Sequence, residues 1–227
     1  DATSFLLRGQ CNDAYWHGVF GGLYAPHLRT TLWRDLIRAE KIADGAEQAR
    51  SSYTDLSRLD FDADGREDLY LVTETFAALF NPSDGATVPL LDYRPSDVTL
   101  VNSLQRRPEA YHARLREAAS GAAQAVVSIH DQLKVKEPGL ERRLRYDQWP
   151  RHAFRLLLFP PWKKLADYEA LTLDASAPFA AGAYGVASAS AEKIEFVQEG
   201  PLASALAPAS DASSAPFLRA VKTFSFS

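Results

Sequence analysis

The sequence predicts an α+β protein that is mainly β, in which a short helical piece precedes a larger, mostly antiparallel β domain. Apolar residues recur at helical spacing near the N-terminus, and short β-like runs separated by turn residues follow from about residue 59. The 227 residues are 46% hydrophobic and 24% charged, which is the balance of an ordinary globular protein. No internal repeat is present, which disfavours solenoids and propellers.

The N-terminal piece contains one well-marked helix. Leu28, Leu32 and Leu36 recur at helical spacing. Pro26 suits the first turn, where the missing N–H group has no helical partner, and Gly45 is a suitable stop. The pattern therefore predicts a helix that begins near Pro26 and packs one face against another element.

Three strand candidates follow an acidic turn. They are Leu69 to Thr73, Phe76 to Phe80 and Thr87 to Arg94, and the turn sequence NPSDGA separates the last two. Short runs of β-branched and aromatic residues between turn signals are typical of a β-meander.

The second half of the chain mixes helix, loop and strand signals. Pro108 opens a helical segment that we expect to continue with breaks to about Leu133. The segment from Gly200 to Pro216 is rich in Ala, Ser and Pro and is predicted to be a surface loop. The remaining β-like runs are Ala153 to Phe159, Ala183 to Ala189, Lys193 to Gln198 and Ala220 to Phe226.

Charge and cysteine content narrow the class of protein. The 25 basic and 29 acidic side chains give a net charge of −4, whereas nucleic-acid-binding domains usually carry a basic face. No apolar stretch has the length and composition of a membrane-spanning helix. The single cysteine, Cys11, cannot form an internal disulfide, which indicates a reducing compartment and hence a cytoplasmic location.

A cluster of aromatic and polar residues near the N-terminus is a candidate sugar site. Its members are Asn12, Asp13, Tyr15, Trp16 and His17. Aromatic rings can cover the apolar face of a pyranose, while carboxylate and amide groups accept and donate hydrogen bonds to its hydroxyls. The alternative is that Tyr15 and Trp16 fill a core and Asp13 caps a turn, and composition alone favours this alternative.

A second cluster, within the sequence DFDADGRED, has the spacing of a calcium loop. Its carboxylates are Asp60, Asp62, Asp64 and Asp68, and Gly65 occupies the sixth position of the loop. Oxygen ligands at alternate positions around such a glycine are typical of calcium sites. Leu71 stands where an EF-hand has its bidentate Glu, and a strand follows, which excludes an EF-hand. An acidic Asx-type turn explains the same residues, and both interpretations stay open at this stage.

The segment from Gln10 to Arg29, QCNDAYWHGVFGGLYAPHLR, resembles the last conserved region of glycoside hydrolase family 57 in its 4-α-glucanotransferase and α-amylase branch. Other segments resemble later motifs of that branch in the same order along the chain. They are Asp60 to Asp68, Asn102 to His112, Ser128 to Asp147 and Val221 to Phe226.

The resemblance implies a particular domain organisation. Members of the family carry a Glu nucleophile and an Asp acid/base in a seven-stranded (β/α) barrel, followed by a helical subdomain and a β-sandwich of galactose-mutarotase-like (supersandwich) type. Residues 1–53 would then be the helical segment that closes the catalytic domain. Residues 54–227 would be an incomplete β-sandwich domain with a helical insertion. Neither catalytic motif has a counterpart here, so we assign no catalytic residue and expect the chain to be part of a longer protein.

The implied function is that of a retaining glycoside hydrolase or transglycosylase acting on starch-like or maltooligosaccharide substrates. Asn12, Asp13, Trp16 and His17 would bind the sugar, no cofactor would be required, and calcium at the acidic loop would be structural. A homodimer is compatible with this function, and we expect no nucleic-acid or membrane partner. The alternative is a non-catalytic carbohydrate-binding or calcium-stabilised β-sandwich module.

Overall fold

The computed structural model describes residues 1–16, 21–47, 53–120, 137, 139–160, 162–171, 177–201 and 217–226. The chain divides into two compact units. The larger unit comprises Asp1–Leu104, Arg151–Lys163 and Asp174–Ser227, and the smaller comprises Gln105–Pro150 and Lys164–Leu173. The predicted domain boundary after residue 53 stays a prediction, since compactness alone does not define a family's domains.

Helices and strands in the described part of the chain follow the predicted helix-then-sheet order. The helices are α1 (Ala2–Gly9), α2 (Pro26–Glu47), α3 (Ala110–Ser120), α4 (Leu165–Glu169) and α5 (Ala177–Ala180). The strands are β1 (Thr54–Leu59), β2 (Asp68–Thr73), β3 (Phe76–Asn81), β4 (Thr87–Tyr93), β5 (Val98–Thr99), β6 (Gly185–Ala189), β7 (Lys193–Pro201) and β8 (Phe217–Ser225). None of the described helices has both the length and the apolar character needed to cross a membrane.

The described strands form two antiparallel sheets, which confirms the predicted mainly β class. The first has the order β1-β2-β3-β4-β5 and the second the order β6-β7-β8. The sheets share an apolar core in which the Phe80 ring from β3 lies 6.0 Å from the Phe196 ring of β7 and 4.9 Å from the Phe224 ring of β8. The two sheets therefore pack face to face in a sandwich.

The first sheet is buried on both faces. Alternate side chains of a strand point to opposite faces. Accordingly Leu71 joins the core shared with the second sheet, while its neighbour Val72 belongs to a separate cluster on the other face. Trp33 of α2 packs against that separate cluster. The larger unit is thus layered as helix α2, first sheet and second sheet.

Most predicted elements are confirmed, and one is wrong. The helix from Pro26 and the strands β2, β3, β4, β6, β7 and β8 appear with shifted ends. The run from Ala153 to Phe159 is not a strand, because only Ala153 pairs, as an isolated antiparallel bridge to Val88. Phe154 adopts a φ of +61°, a left-handed conformation that interrupts an extended strand.

Some predicted segments lie partly outside the described residues. The helix expected from Pro108 to Leu133 begins as α3, and residues 121–136 lie outside the description. The same holds for residues 202–216 of the expected surface loop. Several short elements were not predicted. They are α1, which Asp1 caps by accepting a hydrogen bond from the Ser4 N–H at 2.8 Å, the strands β1 and β5, and the helices α4 and α5.

Helix α2 is joined to the first sheet by charged groups as well as by apolar contacts. The Arg94 guanidinium, at the end of β4, is 2% exposed and forms an ion pair with Asp44 of α2 at 2.5 Å. Lys41 donates to the Arg94 carbonyl at 2.7 Å. Lys41 and Arg38 also bind the two carboxylate oxygens of Asp97, each at 2.7 Å. A buried guanidinium is tolerated only with such partners, so these contacts fix the position of α2 on the sheet.

We predict that Asp92→Asn increases stability at neutral pH. Asp92 of β4 is 3% exposed, and burial, reinforced by the nearby Glu40 charge, raises the pKa of its carboxyl to about 6 despite Arg94. The folded state then binds the carboxyl proton more tightly than the unfolded state does. The stability that this proton contributes is present below about pH 4 and is lost as pH rises through about 6. Asn cannot ionise, so the variant should avoid a loss of about 2–3 kcal/mol. Urea unfolding at pH 4, 5.5 and 7 measures the difference.

Asp84→Asn is the matched control, because its environment acts in the opposite direction. Burial alone would raise the pKa of Asp84, but hydrogen bonds from His152 and Arg155 lower it to about 2. Its stabilising contribution is fully present above the unfolded pKa of about 4 and is lost as pH falls through about 2. Asp84→Asn should therefore lower stability at pH 5.5 and 7, where Asp92→Asn should raise it. Parallel curves of unfolding free energy against pH for Asp92→Asn and the unmodified chain would contradict the raised pKa of Asp92.

Candidate functional site

The predicted sugar-binding residues lie in the short segment between α1 and α2. After α1 ends at Gly9, residues Asn12–Ala14 form a single 3₁₀ turn. Asn12 and Asp13 are exposed, and so are the rings of Tyr15 and Trp16, at 60% and 51%. Tyr15 donates from its hydroxyl to the Gly9 carbonyl at 2.6 Å, which leaves the ring face accessible. His17, the fourth predicted sugar residue, lies outside the described residues.

The chain returns towards Trp16 after this segment. The Leu23 N–H donates to the Trp16 carbonyl at 2.8 Å, within a second 3₁₀ turn, Gly22–Tyr24. Gly21, just before that turn, has a φ of +104°, which side chains other than glycine rarely adopt. The segment therefore exposes an indole, a phenol, an amide and a carboxylate to solvent, and these are group types that bind sugars.

The acidic loop between β1 and β2 brings three of its four predicted ligands together. Ligand oxygens of Asp60, Asp62 and Asp64 all lie within 4.8 Å of one another, and all three side chains are exposed. Gly65 has a φ of +84° at the reversal of the chain. Three close carboxylates repel one another and offer the hard oxygen ligands that calcium prefers.

Backbone hydrogen bonds stabilise the same loop. Asp60 accepts from the N–H groups of Asp64 and Gly65, both at 3.0 Å, and Asp64 accepts from the Arg66 N–H at 2.8 Å. These are the contacts of an Asx-type turn. Because a carboxylate oxygen has two lone pairs, they are compatible with a cation as well.

Asp68, the fourth predicted ligand, is not a member of the close trio. It is 2% exposed at the start of β2 and accepts from the Phe61 N–H at 3.2 Å. Burial raises the pKa of its carboxyl to about 6, and the charges of the trio contribute to the same shift. In the described structure Asp68 therefore stabilises the base of the loop.

Two polar residues of the β3–β4 turn reach the acidic loop and were missed at the sequence level. Asn81 donates to Asp62 at 3.4 Å and accepts from the Ser83 hydroxyl at 2.8 Å, and the same hydroxyl oxygen lies 3.5 Å from an Asp64 oxygen. In the sequence these two residues were recognisable only as part of the turn NPSDGA. Their contact with the acidic loop, 19 residues away, depends on the register of β2 and β3.

Comparison with known proteins identifies the family. The model for the C-terminal domain of alpha-amylase/4-alpha-glucanotransferase matches residues 60–210, and the model for the middle domain of the same proteins matches residues 1–43. This chain belongs to the alpha-amylase/4-alpha-glucanotransferase family. The resemblance to glycoside hydrolase family 57 is thereby confirmed.

Individual relatives agree with the family models. The chain is 38% identical to alpha-amylase 1 of Dictyoglomus thermophilum over 166 residues, which is 73% of this chain and 23% of that protein. It is 35% identical to the 4-alpha-glucanotransferase of Thermococcus kodakarensis over 186 residues, which is 81% of this chain and 27% of that protein. It therefore spans about a quarter of the length of these relatives.

A solved structure shares the fold. The crystal structure of 4-alpha-glucanotransferase from Thermococcus litoralis superimposes with a TM-score of 0.69 at 27% identity, covering 88% of this chain and 27% of that one. The mainly β, antiparallel architecture predicted from the sequence is that of this family member.

We predict that Trp16→Ala changes stability little. Because the ring is half exposed, its truncation should lower the free energy of unfolding by less than about 1 kcal/mol. Ile37→Ala in α2, where the side chain is 2% exposed, should cost about 2–5 kcal/mol. Urea unfolding followed by circular dichroism compares the two, and equal losses would indicate that Trp16 fills a core.

Proposed function

We propose that the protein carrying this chain cleaves α-1,4-glucan through a covalent glycosyl-enzyme and transfers the glycosyl unit to another glucan or to water. Membership of the alpha-amylase/4-alpha-glucanotransferase family carries this proposal. Relatives named alpha-amylase and 4-alpha-glucanotransferase support both outcomes. In the retaining mechanism one carboxylate attacks the sugar and a second protonates the leaving group.

Within that reaction we assign this chain to substrate binding and not to bond cleavage. Trp16 would stack on a glucose ring, and Asp13 would accept hydrogen bonds from its hydroxyls, with Asn12 and His17 beside them. The exposure of Trp16 and Asp13 on one short segment supports this role. The catalytic nucleophile and acid/base would come from a catalytic domain joined to this chain.

We propose a cytoplasmic location, in keeping with the exposed free thiol of Cys11, and a homodimer as the assembly. The substrate would be starch-like glucan or maltooligosaccharide.

Titration of the 227-residue chain with maltoheptaose tests the binding role. We expect Trp16→Ala to weaken binding by about three- to tenfold, because an aromatic contact is lost. Asp13→Ala should also weaken maltoheptaose binding, because it removes hydrogen bonds to the sugar. Phe217→Ala, which removes an aromatic ring 70% exposed on β8, is the matched control and should not change the dissociation constant.

The same chain should not disproportionate maltotriose, because a retaining mechanism without its two carboxylates has no nucleophile. Product formation by the purified chain would contradict the assignment to binding alone. Equal binding by the Trp16 and Phe217 variants would contradict the sugar contact.

The alternative function, a calcium-stabilised module, has its own supporting observation in the trio Asp60, Asp62 and Asp64. We propose a structural calcium ion there, which would relieve the repulsion among the three carboxylates. Asp68 stays a predicted fourth ligand. This ion would stabilise the β domain and does not exclude the enzymatic role.

Thermal unfolding with EGTA and then with millimolar calcium tests the metal site. An ion that binds only the folded chain raises the melting temperature in proportion to the logarithm of its concentration above Kd. Asp62→Asn should reduce that rise, whereas Asp55→Asn, on the exposed face of β1, should retain it. Equal melting temperatures with EGTA and with calcium would show that the loop is only a turn.

A further inference from the structure

Arg29, in the first turns of α2, contacts two separate parts of the chain through its guanidinium. Its Nε donates to the Asn102 side-chain oxygen at 2.8 Å, and its Nη2 donates to the Asn102 backbone carbonyl at 3.2 Å. Its Nη1 donates to the Leu23 carbonyl. A planar guanidinium can serve these three acceptors at once because its donors point in fixed, divergent directions.

Leu23 is consequently held on both sides of its Cα atom. Its carbonyl accepts from Arg29, and its N–H donates to the Trp16 carbonyl at 2.8 Å. The second 3₁₀ turn, which contains Leu23, is therefore fixed between the helix and the backbone of Trp16. Leu23 is thus the one residue between the Arg29 guanidinium and the Trp16 carbonyl in this series of hydrogen bonds.

The other end of this connection lies on the first sheet. Asn102 follows β5 by three residues, and the Leu100 N–H between them donates to the Leu91 carbonyl of β4 at 2.7 Å. The contacts therefore run from a strand of the sheet through Asn102 and Arg29 to Leu23, whose N–H donates to the Trp16 carbonyl.

We propose that Arg29 is a positioning residue that holds Trp16 in its sugar-binding orientation against the first sheet. The inference rests on the proposed sugar contact of Trp16. This positioning role differs from a general stabilisation of α2. Arg38 of the same helix provides general stabilisation, because it binds Asp97 at 2.7 Å and is not bonded to Leu23. The two attachments thus allow positioning and stabilisation to be separated.

The experiment compares Arg29→Lys with Arg38→Gln in the 227-residue chain. Lys keeps the charge but cannot serve three divergent acceptors. We expect Arg29→Lys to raise the maltoheptaose Kd by about five- to tenfold, as for loss of a charge-assisted hydrogen bond. We expect both variants to lower the melting temperature by similar amounts. Arg38→Gln should leave the maltoheptaose Kd unchanged.

Acrylamide quenching of tryptophan fluorescence gives a readout that does not require sugar. The Trp16 contribution is the difference between each variant and the same variant carrying Trp16→Phe. Arg29→Lys should change this contribution, and Arg38→Gln should not. Asn102→Ala, which removes one of the three acceptors, should give a smaller change, and Asn102→Asp, which keeps the acceptor, should restore wild-type quenching and Kd.

The outcomes separate the inference from the proposed function. If the unmodified chain does not bind maltoheptaose, the sugar contact fails and the quenching comparison alone decides whether Arg29 positions Trp16. Unchanged Trp16 quenching in Arg29→Lys and Asn102→Ala would overturn the inference. Equal changes of Kd and of Trp16 quenching in Arg29→Lys and Arg38→Gln would also overturn it, because Arg29 would then act only through the stability of α2.

Discussion

The first sheet is apolar on both faces, and this single constraint organises the larger unit. Because neighbouring residues such as Leu71 and Val72 point to opposite sides and are both buried, each face must be covered. The second sheet covers one face and α2 covers the other. Helix α2, which follows the proposed sugar-binding segment, is therefore a structural layer of the larger unit.

Charged contacts then determine where α2 lies on its face of the sheet. Apolar burial is non-directional, whereas ion pairs and hydrogen bonds have fixed geometry. Arg94 with Asp44, and Asp97 with Arg38, join the helix to the end of β4 and the loop beyond it. Two of the Arg94 donors, Nε and Nη1, have no hydrogen-bond partner in the described structure, so its burial depends strongly on Asp44. The proposed sugar-binding segment therefore precedes a helix that is attached to the first sheet by ion pairs.

The elements that could be predicted from the sequence are those whose pattern is local. The leucines of α2 and the runs between turns in β2 to β4 specify helix and strand by their own periodicity. Strand β1 was missed because it lies at a sheet edge and contains no fully buried residue, so it lacks apolar alternation. The Ala153–Phe159 run was assigned wrongly because its apolar residues join the core without pairing as a strand. The candidate residues Asp60, Asp62 and Asp64 were identified correctly as a cluster, whereas the contacts of Arg29 with Asn102 join residues 73 positions apart, and no local pattern signals them.

We expect the proposed sugar-binding segment between α1 and α2 to unfold together with the first sheet. Amide hydrogen exchange resolved at Leu23 and Leu71 measures this directly. The Leu23 N–H is bonded to Trp16, and Leu71 lies in β2, a strand paired on both sides. Exchange through one cooperative opening would give both amides similar, high protection. Protection of Leu71 together with exchange of Leu23 at the rate of an unstructured peptide would contradict the claim.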